Sequence, residues 1–346
     1  RVEMKVGLAY DLMDDYLAEG FGMEEAAEFD RAETISGIES TLNELGYETE
    51  RIGNVKALVR MLAEGRRWDL VFNICEGVYG MGREAQVPAL LDAYGIPYTF
   101  SDPAVLALAL NKALTKRVIR DLGIPTPDFA VIENEEDADS LDLPFPLFAK
   151  PVAEGTSKGV GSSSLIESKA DLKRVCAELL AKFGQPVLVE EFLPGREFTV
   201  GIIGSGKSAR VLGAIEVLVR DRSFDAIYSW ENKEYFEERV EYRKVEGELL
   251  EECGEMALKA WRGLGCRDCG RMDFRMDAAG RLAFLEVNPL AGLNPIRSDL
   301  PFICRFNGVS YGELIGMIMD SVLERMNKRP PVPYLIRIYP ENKSTF

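Results

Sequence analysis

The stretch RMDFRMDAAGRLAFLEVN, residues 271–288, predicts a β-hairpin with an Asp-Ala-Ala-Gly turn between its two strands. On the first strand Arg271 and Asp273 are two residues apart, so their side chains share one face. On the second strand Glu286 and Asn288 share a face in the same way. Pairing of the strands therefore collects one cation, two carboxylates and one amide in a single patch. A cross-strand salt bridge on a solvated sheet face is the alternative interpretation.

Such a patch suits Mg²⁺, which prefers oxygen ligands and uses one or two carboxylates together with substrate phosphates. Upstream, the loop EGTSKGVG at 154–161 offers backbone amides and hydroxyl groups that can fold over a polyphosphate, although it could also be an ordinary flexible connection. Lys150 ends the strand before this loop, where a phosphate would pair its ammonium group. Lys112 lies on the preceding helix and could equally belong to that helix's polar face.

The first hundred residues alternate strand-like and helix-like segments, which predicts a mainly parallel sheet. Predicted strands cover residues 4–10, 47–52, 70–75 and 98–100, and predicted helices lie around residues 35–45, 55–63 and 85–94. One long helix is predicted over residues 103–122, before a proline-rich junction. Because ligands collect at the carboxyl ends of parallel strands, the loops after Tyr10 and Cys75 are candidate binding loops.

The rest of the chain is predicted to form two further units. Predicted strands cover residues 146–150, 187–192, 198–203 and 211–219, and predicted helices cover residues 169–183, 248–264 and 309–326. We expect an N-terminal α/β domain at 1–103, a central subdomain at 104–188, a C-terminal subdomain at 189–330 and a tail at 331–346.

Composition excludes several classes of protein. The chain has 346 residues and no histidine, which rules out Ser-His-Asp and Cys-His catalysis and histidine-bound zinc or haem. Its 57 acidic and 41 basic residues give a formal charge of −16, which argues against a nucleic-acid partner or an anionic membrane surface. The hydrophobic runs are shorter than a membrane span, and the first residues are not typical of a signal sequence. Six irregularly spaced cysteines favour reduced thiols and a cytoplasmic location.

Several segments, taken in order, resemble those of ATP-grasp enzymes of the D-alanine–D-alanine ligase type over residues 6–326. These segments are LALNKALTKRVIRDLGIPTP, FAKPVAEGTSKGVG, VLVEEFLPGREFTV, LGCRDCGRMDF and LEVNPLAG. The resemblance implies an ATP-grasp fold of the α/β class, with α+β character in the C-terminal part and a parallel-sheet domain at the N-terminus. It also implies ATP and Mg²⁺ as cofactors, with Mn²⁺ as an alternative ion.

The resemblance implies a nucleotide site on this chain, residue by residue. Lys112 and Lys150 would reach the phosphates, and the loop that begins with Glu154 and Gly155 would close over them. The implied contacts with the adenine and the ribose are Glu190, Glu191, Leu193, Glu197 and Leu285.

The same resemblance implies the residues that act on the phosphates. The implied metal ligands are Asp273, Glu286 and Asn288. Arg271 would stabilise charge on the transferring phosphoryl group, and Thr156, Ser157 and Lys233 would complete the catalytic set. A substrate carboxylate would attack the γ-phosphate, and an amine would attack the resulting acyl phosphate. Neither step requires a histidine, because positioning and electrostatic stabilisation dominate phosphoryl transfer.

The implied substrate pocket departs from the family pattern. D-alanine ligases carry a His-Gly pair where this chain has Glu76 and Gly77, and a carboxylate there could bind an ammonium group, act as a base, or be only a polar loop residue. Glu33 is the nearest match to the family's amino-binding glutamate, and residues 11–29 look like additional sequence. The implied substrate contacts in PLAGLNPIRSDLP, after the metal-binding asparagine, are Gly292, Arg297 and Ser298.

We therefore expect an ATP-dependent carboxylate–amine ligase that joins small amino acids through an acyl phosphate. One alternative is a genuine D-alanine–D-alanine ligase of cell-wall synthesis, and another is a non-catalytic nucleotide-binding homologue. The expected partners are a small carboxylate and a small amine, and the resemblance also implies that two copies of the chain form a homodimer.

Overall fold

The computed structural model describes residues 4–155, 158, 160, 164–219 and 240–328. Within these ranges the chain forms three β-sheets that follow one another along the sequence. Three predicted catalytic residues, Thr156, Ser157 and Lys233, lie outside the described residues, as does the predicted tail at 331–346.

The first sheet is parallel and has the strand order β2-β1-β3, which confirms the prediction from the alternating pattern. Its strands are β1 (Lys5–Ala9), β2 (Glu48–Gly53) and β3 (Leu70–Asn73), and the helices of this region are α1 (Met13–Ala18), α2 (Ala32–Glu44), α3 (Val55–Ala63) and α4 (Gln86–Ala93). The strand predicted at 98–100 is reduced to one bridge between Val71 and Tyr98. Nearby, Phe100 has a φ of 71°, which interrupts the extended conformation.

The prediction of a single helix over residues 103–122 is wrong, because the helix is interrupted at Asn111 and forms α5 (Pro103–Leu110) and α6 (Lys112–Asp121). Asn111 is extended, with a ψ of 99°, and its side chain accepts a hydrogen bond from the amide of Leu114 at 3.1 Å. Asparagine is a favoured N-cap because this bond satisfies an amide that has no partner within the helix. The break leaves Lys112 at the start of α6, where its amide donates to the oxygen of Val152 at 2.9 Å.

The second sheet is antiparallel and has the order β4-β7-β5-β6. Its strands are β4 (Phe129–Ile132), β5 (Leu147–Pro151), β6 (Leu165–Ile166) and β7 (Val187–Glu191). Helix α7 (Lys169–Phe183) begins after the N-cap Ser168 and ends at Gly184, whose φ of 60° suits glycine. Its apolar residues Leu172 and Val175 pack in one core with Leu147 of the sheet.

The third sheet is antiparallel and has the order β10-β9-β8-β11-β12. Its strands are β8 (Glu197–Ile203), β9 (Arg210–Val219), β10 (Val240–Lys244), β11 (Cys269–Met276) and β12 (Leu282–Asn288). The predicted hairpin is confirmed as β11 and β12, and its turn closes through a 3.0 Å hydrogen bond from the Gly280 amide to the Asp277 oxygen. Helix α8 (Gly247–Leu264) covers the sheet through Trp261, which is packed with Phe198 and Phe274.

Two helices, α9 (Asp299–Phe306) and α10 (Tyr311–Lys328), end the described chain. Helix α10 returns to the first sheet, because Leu314 and Ile318 share a buried core with Val6 and Leu42. An ion pair ties the same helix to the third sheet: Arg325 Nη2 of α10 lies 2.6 Å from Asp268, a fully buried residue just before β11. The first and third sheets therefore share a core that the last helix completes.

The domain boundaries stay predictions, although β7 extends to Glu191 and so continues the second sheet past residue 188. Among the described residues, no helix combines the length and the apolar character needed to cross a membrane.

Candidate active site

The register of the β11–β12 hairpin brings together the four residues predicted to form one patch. Asp273 pairs with Glu286 and Arg271 pairs with Asn288 in the antiparallel ladder. The amide Nδ2 of Asn288 lies 3.4 Å from Glu286 Oε1. The hairpin therefore presents the predicted oxygen ligands side by side, beside one arginine.

The donor set fits a divalent cation. Asp273 accepts hydrogen bonds from Thr199 Oγ1 at 3.0 Å and from Arg271 Nη1 at 2.6 Å. Burial raises the pKa of Asp273 to about 7, and the nearby carboxylate of Glu286 adds to the effect, although Arg271 opposes it. Carboxylates crowded in this way are relieved by a bound cation, and their oxygen-only chemistry suits Mg²⁺.

A cavity of about 120 Å³ lies between the second and third sheets beside this hairpin. All the residues predicted to bind ATP line it: Lys112, Lys150, Glu154, Gly155, Glu190, Glu191, Leu193, Glu197 and Leu285. Arg271, Asp273 and Glu286 line the same cavity. The structure thus brings Lys112 and Leu285, which are 173 residues apart in the sequence, into one site.

A buried ion triad lies at this cavity. Glu190 is 2% exposed, and its two carboxylate oxygens lie 2.7 Å from Lys150 Nζ and 2.8 Å from Lys116 Nζ. Burial alone would raise the pKa of Glu190, but the two ammonium groups outweigh it and lower the pKa to about 2. Because Glu190 stays ionised, it can accept a hydrogen bond from an amino group such as that of adenine.

Glu28 holds the start of the glycine-rich loop. Its carboxylate accepts a hydrogen bond from the amide of Gly155 at 2.7 Å and lies 3.3 Å from both Arg83 Nη2 and Lys158 Nζ. Arg83 and Lys158 lower the pKa of Glu28 although burial opposes them. Residues 11–29, which were expected to be additional sequence, therefore contact the glycine-rich loop after β5 through Glu28.

A second cavity, of about 260 Å³, adjoins the first. Six residues line both cavities: Lys112, Glu154, Gly155, Arg271, Glu286 and Asp299. Of the predicted substrate contacts, Glu76, Gly292, Arg297 and Ser298 line the larger cavity, together with the predicted metal ligand Asn288. Glu33 is exposed at the start of α2 and is not among the lining residues.

The carboxylates of Glu28, Asp30 and Glu84 line the larger cavity together with Glu76 and make this end of it acidic. Burial raises the pKa of Asp30 to about 8, with a contribution from Asp11, and burial with the charge of Glu28 raises the pKa of Glu84 to about 7. Burial and then Glu84 raise the pKa of Glu76 well above its usual range. Such carboxyl groups would be stabilised by a bound ammonium group, so this end of the cavity suits the amino group of a substrate.

Sequence reasoning missed six side chains of the site: Glu28, Asp30, Glu84, Lys116, Thr199 and Asp299. Lys116 had a local signal, because it lies one helical turn after Lys112. Glu28 and Asp299 had no comparable signal, since each acquires its role from contacts with distant residues.

Ser298 has a local structural role as well as a place at the cavity. Its hydroxyl accepts a hydrogen bond from the amide of Asn294 at 3.0 Å, which shapes the turn before α9. Arg297 is exposed at the rim, where its guanidinium group could meet a substrate carboxylate. The arrangement as a whole can hold a polyphosphate on one side and an amino acid on the other.

Comparison with known proteins agrees with this geometry. Residues 118–320 match the family model described as D-ala D-ala ligase C-terminus. A D-alanine–D-alanine ligase of Aquifex aeolicus (strain VF5) is 34% identical over 288 residues, which cover 83% of this chain and 93% of that protein. Uncharacterized protein y4sG of Sinorhizobium fredii (strain NBRC 101917 / NGR234) is 31% identical, with 83% of this chain and 86% of that protein covered. A crystal structure of a D-alanine–D-alanine ligase from Bacillus anthracis complexed with ATP superposes with a TM-score of 0.71 at 23% identity, covering 95% of this chain and 99% of the other.

Proposed function

This chain belongs to the D-alanine–D-alanine ligase family, and from that premise we propose that it is an ATP-dependent ligase that forms an amide bond between small amino acids. The observation that carries the proposal is the position of the β11–β12 hairpin. Arg271 and Glu286 line both the smaller and the larger cavity, so phosphoryl transfer and amide formation would share one boundary.

The reaction has two steps. A carboxylate of the first substrate attacks the γ-phosphate of ATP, and the bond to the bridging oxygen breaks to give an acyl phosphate and ADP. The amine of the second substrate then attacks the acyl carbon, and inorganic phosphate leaves as the amide forms. Both steps depend on the placement of the reactants and on charge stabilisation rather than on a protein nucleophile.

The nucleotide would bind in the smaller cavity. Lys112 and Lys150 would contact its phosphates, Glu190 would accept a hydrogen bond from the adenine amino group, and Glu197 would meet the ribose, with Leu285 beside the base; all five line this cavity. Asp273, Glu286 and Asn288 would hold Mg²⁺, which when bound supplies positive charge to the phosphates. Arg271 would stabilise the charge of the transferring phosphoryl group. The roles of Thr156, Ser157 and Lys233 stay predictions from the resemblance.

The substrates are proposed to occupy the larger cavity, with an amino group near Glu76 and a carboxylate near Arg297. The resemblance implies that Glu76 stands where D-alanine ligases have a histidine, and the acidic lining near it favours a pair of substrates other than two D-alanines. A genuine D-alanine–D-alanine ligase is the second candidate, favoured by the 34% identity with the Aquifex protein over 93% of its length. A non-catalytic homologue is less well supported, because the predicted metal ligands and Arg271 lie together in the structure.

A screen of amino-acid pairs tests this proposal. Purified protein is given Mg-ATP and each pair, ADP release is recorded, and the product is identified by mass spectrometry. We expect rapid ADP release and a dipeptide or related amide from a pair other than D-alanine with itself. If D-alanine alone gives the fastest reaction, the second candidate is correct. If the nucleotide binds but no pair releases ADP, the protein is the non-catalytic homologue.

Two variants test the metal assignment. Asp273→Asn and Glu286→Gln should abolish Mg-dependent ADP formation while the melting temperature stays near that of the wild type. Asp320→Asn and Glu255→Gln are matched controls on exposed helix positions, and they should keep full activity. Wild-type turnover in both site variants would show that the ligands are wrongly assigned.

We further propose that the protein works in the cytoplasm. All six cysteines are buried and free, which agrees with a reducing compartment. Association into a homodimer stays a prediction from the resemblance.

A further inference from the structure

Asp299 lies at the boundary between the two cavities and was not singled out from the sequence. It is the first residue of α9, its side chain is 10% exposed, and it lines both cavities. An amine that attacks an acyl phosphate must approach the acyl carbon at this boundary, because the phosphate is on one side and the amino acid on the other.

The carboxylate of Asp299 is held in a defined orientation. Its Oδ1 accepts a hydrogen bond from the hydroxyl of Tyr242 at 2.8 Å, and the Tyr242 ring packs against Phe302 with the centroids 5.3 Å apart. Its Oδ2 forms an ion pair with Arg271 Nη1 at 3.6 Å, a contact longer than a hydrogen bond. One oxygen is thus anchored by a hydrogen bond, while the other is held only by this longer ion pair at the boundary between the cavities.

The other carboxylates at the boundary have identifiable partners or roles. Besides Asp299, only Glu154 and Glu286 among the described carboxylates line both cavities. Glu286 belongs to the proposed metal site, and Glu154 has more partners than Asp299, because it accepts a hydrogen bond from Gln185 at 2.6 Å and pairs at 3.6 Å with both Arg83 and Lys158. Asp299 is therefore the boundary carboxylate best placed to meet a second substrate.

The chemistry of the second step requires a proton acceptor. An amino acid brings its amine as an ammonium ion at neutral pH, and the nitrogen has no free electron pair until a proton leaves. Histidine, the usual acceptor, is absent from the whole chain. A positioned carboxylate can take this role in general base catalysis.

Resting on the proposed ligase function, we propose that Asp299 is a catalytic residue that binds the ammonium group of the second substrate and accepts its proton. The freed nitrogen attacks the acyl carbon, the bond from that carbon to the phosphate oxygen breaks, and phosphate departs with its electron pair. The proton on Asp299 then passes to solvent. Tyr242 is a positioning residue, since it fixes the carboxylate without touching the substrate.

Hydroxylamine separates this role from all earlier steps. It is largely uncharged at neutral pH, so it can attack an acyl phosphate without a base and give a hydroxamate. In Asp299→Asn, amide formation should fall by about 10²- to 10⁴-fold, whereas hydroxamate formation from the first substrate should change less than about threefold. Asparagine can still accept the Tyr242 hydrogen bond, and Asp320→Asn on the exposed side of α10 is the matched control.

Tyr242→Phe gives a second, independent measurement in case Asp299→Asn does not fold. It keeps the carboxylate but removes its anchor, so amide formation should fall by about tenfold or less while hydroxamate formation is unchanged. Asp299→Glu should recover part of the activity that Asp299→Asn loses.

The outcomes distinguish this inference from the ligase proposal. If the wild-type protein forms neither amide nor hydroxamate, the ligase function itself fails. If the wild type forms both and Asp299→Asn lowers them equally, Asp299 serves the metal or the nucleotide and the inference is overturned. It is also overturned if Asp299→Asn forms amide at the wild-type rate.

Discussion

Lys116 is fully buried beside Glu190, and its replacement by methionine should reveal how strongly the ion triad stabilises the fold. Removing one member of a buried ion pair costs about 3–5 kcal/mol, because the other charge is left without compensation. Glu190 keeps Lys150 at 2.7 Å, so we expect the lower end of this range, about 3 kcal/mol. Arg117→Met, one residue away on the exposed face of α6, is the matched control and should cost less than about 0.5 kcal/mol.

The pH dependence tests the same triad by another route, because the pKa of Glu190 reflects its burial together with both lysines. The pKa of Glu190 is lowered from 4.5 to about 2, a difference worth about 3 kcal/mol at neutral pH. A lowered carboxyl pKa stabilises the folded state above the unfolded value, and this stabilisation is lost as the pH falls toward the folded value. About 1 kcal/mol of this stabilisation remains at pH 3, so Lys116→Met should lower the free energy of unfolding less at pH 3 than at pH 7.

Urea unfolding at pH 7 and pH 3 measures both effects. The triple variant Lys116→Met, Glu190→Leu and Lys150→Met should be close to wild type in stability, since replacing a whole buried ion triad by apolar groups is often neutral or favourable. The reasoning is refuted if Lys116→Met behaves like Arg117→Met, or if the triple variant is as unstable as the single one.

Three further changes probe other parts of the structure. Asn111→Ala removes the cap of α6 and should lower the free energy of unfolding by about 1 kcal/mol, measured with urea; no change would mean that the cap is unimportant. Asp268→Asn keeps a residue type that tolerates the φ of 61° but removes the charge that pairs with Arg325, so it should lower the free energy of unfolding by about 3 kcal/mol. A melting temperature within error of the wild-type value would contradict this. Lys150→Ala should weaken ATP binding about tenfold by calorimetry, and an unaltered affinity would argue against the nucleotide assignment.

The hairpin could be predicted because its determinants are local. The alternation of side chains along β11 and β12 and the turn at Asp277–Gly280 predict the hairpin and the residues that share a face on each strand. The exact pairing of Asp273 with Glu286 also depends on a register shift between Asp273 and Phe274, which alternation alone does not predict. The residues proposed to bind the nucleotide were predicted through the family resemblance, and in the structure they line one cavity.

The break at Asn111 could not be read from hydrophobic periodicity, since apolar residues continue on both sides of it. What decides the break is a capping hydrogen bond together with the contact between Lys112 and Val152 of the central unit, and the second of these is a tertiary interaction. Glu28 illustrates the same limit. Its carboxylate looks like part of a polar insertion until folding brings it to Gly155, 127 residues away.

The shared core of the first and third sheets has a consequence for how the chain is made. Residues Val6 and Leu42 are synthesised early, but their packing partners Leu314 and Ile318 belong to α10, near the end of the described chain. Contacts with such long sequence separation form late, because a large loop must first be closed. During synthesis, the N-terminal segment should therefore leave the ribosome with an apolar face uncovered until α10 arrives. A nascent chain stopped before α10 is expected to need a chaperone to stay unaggregated.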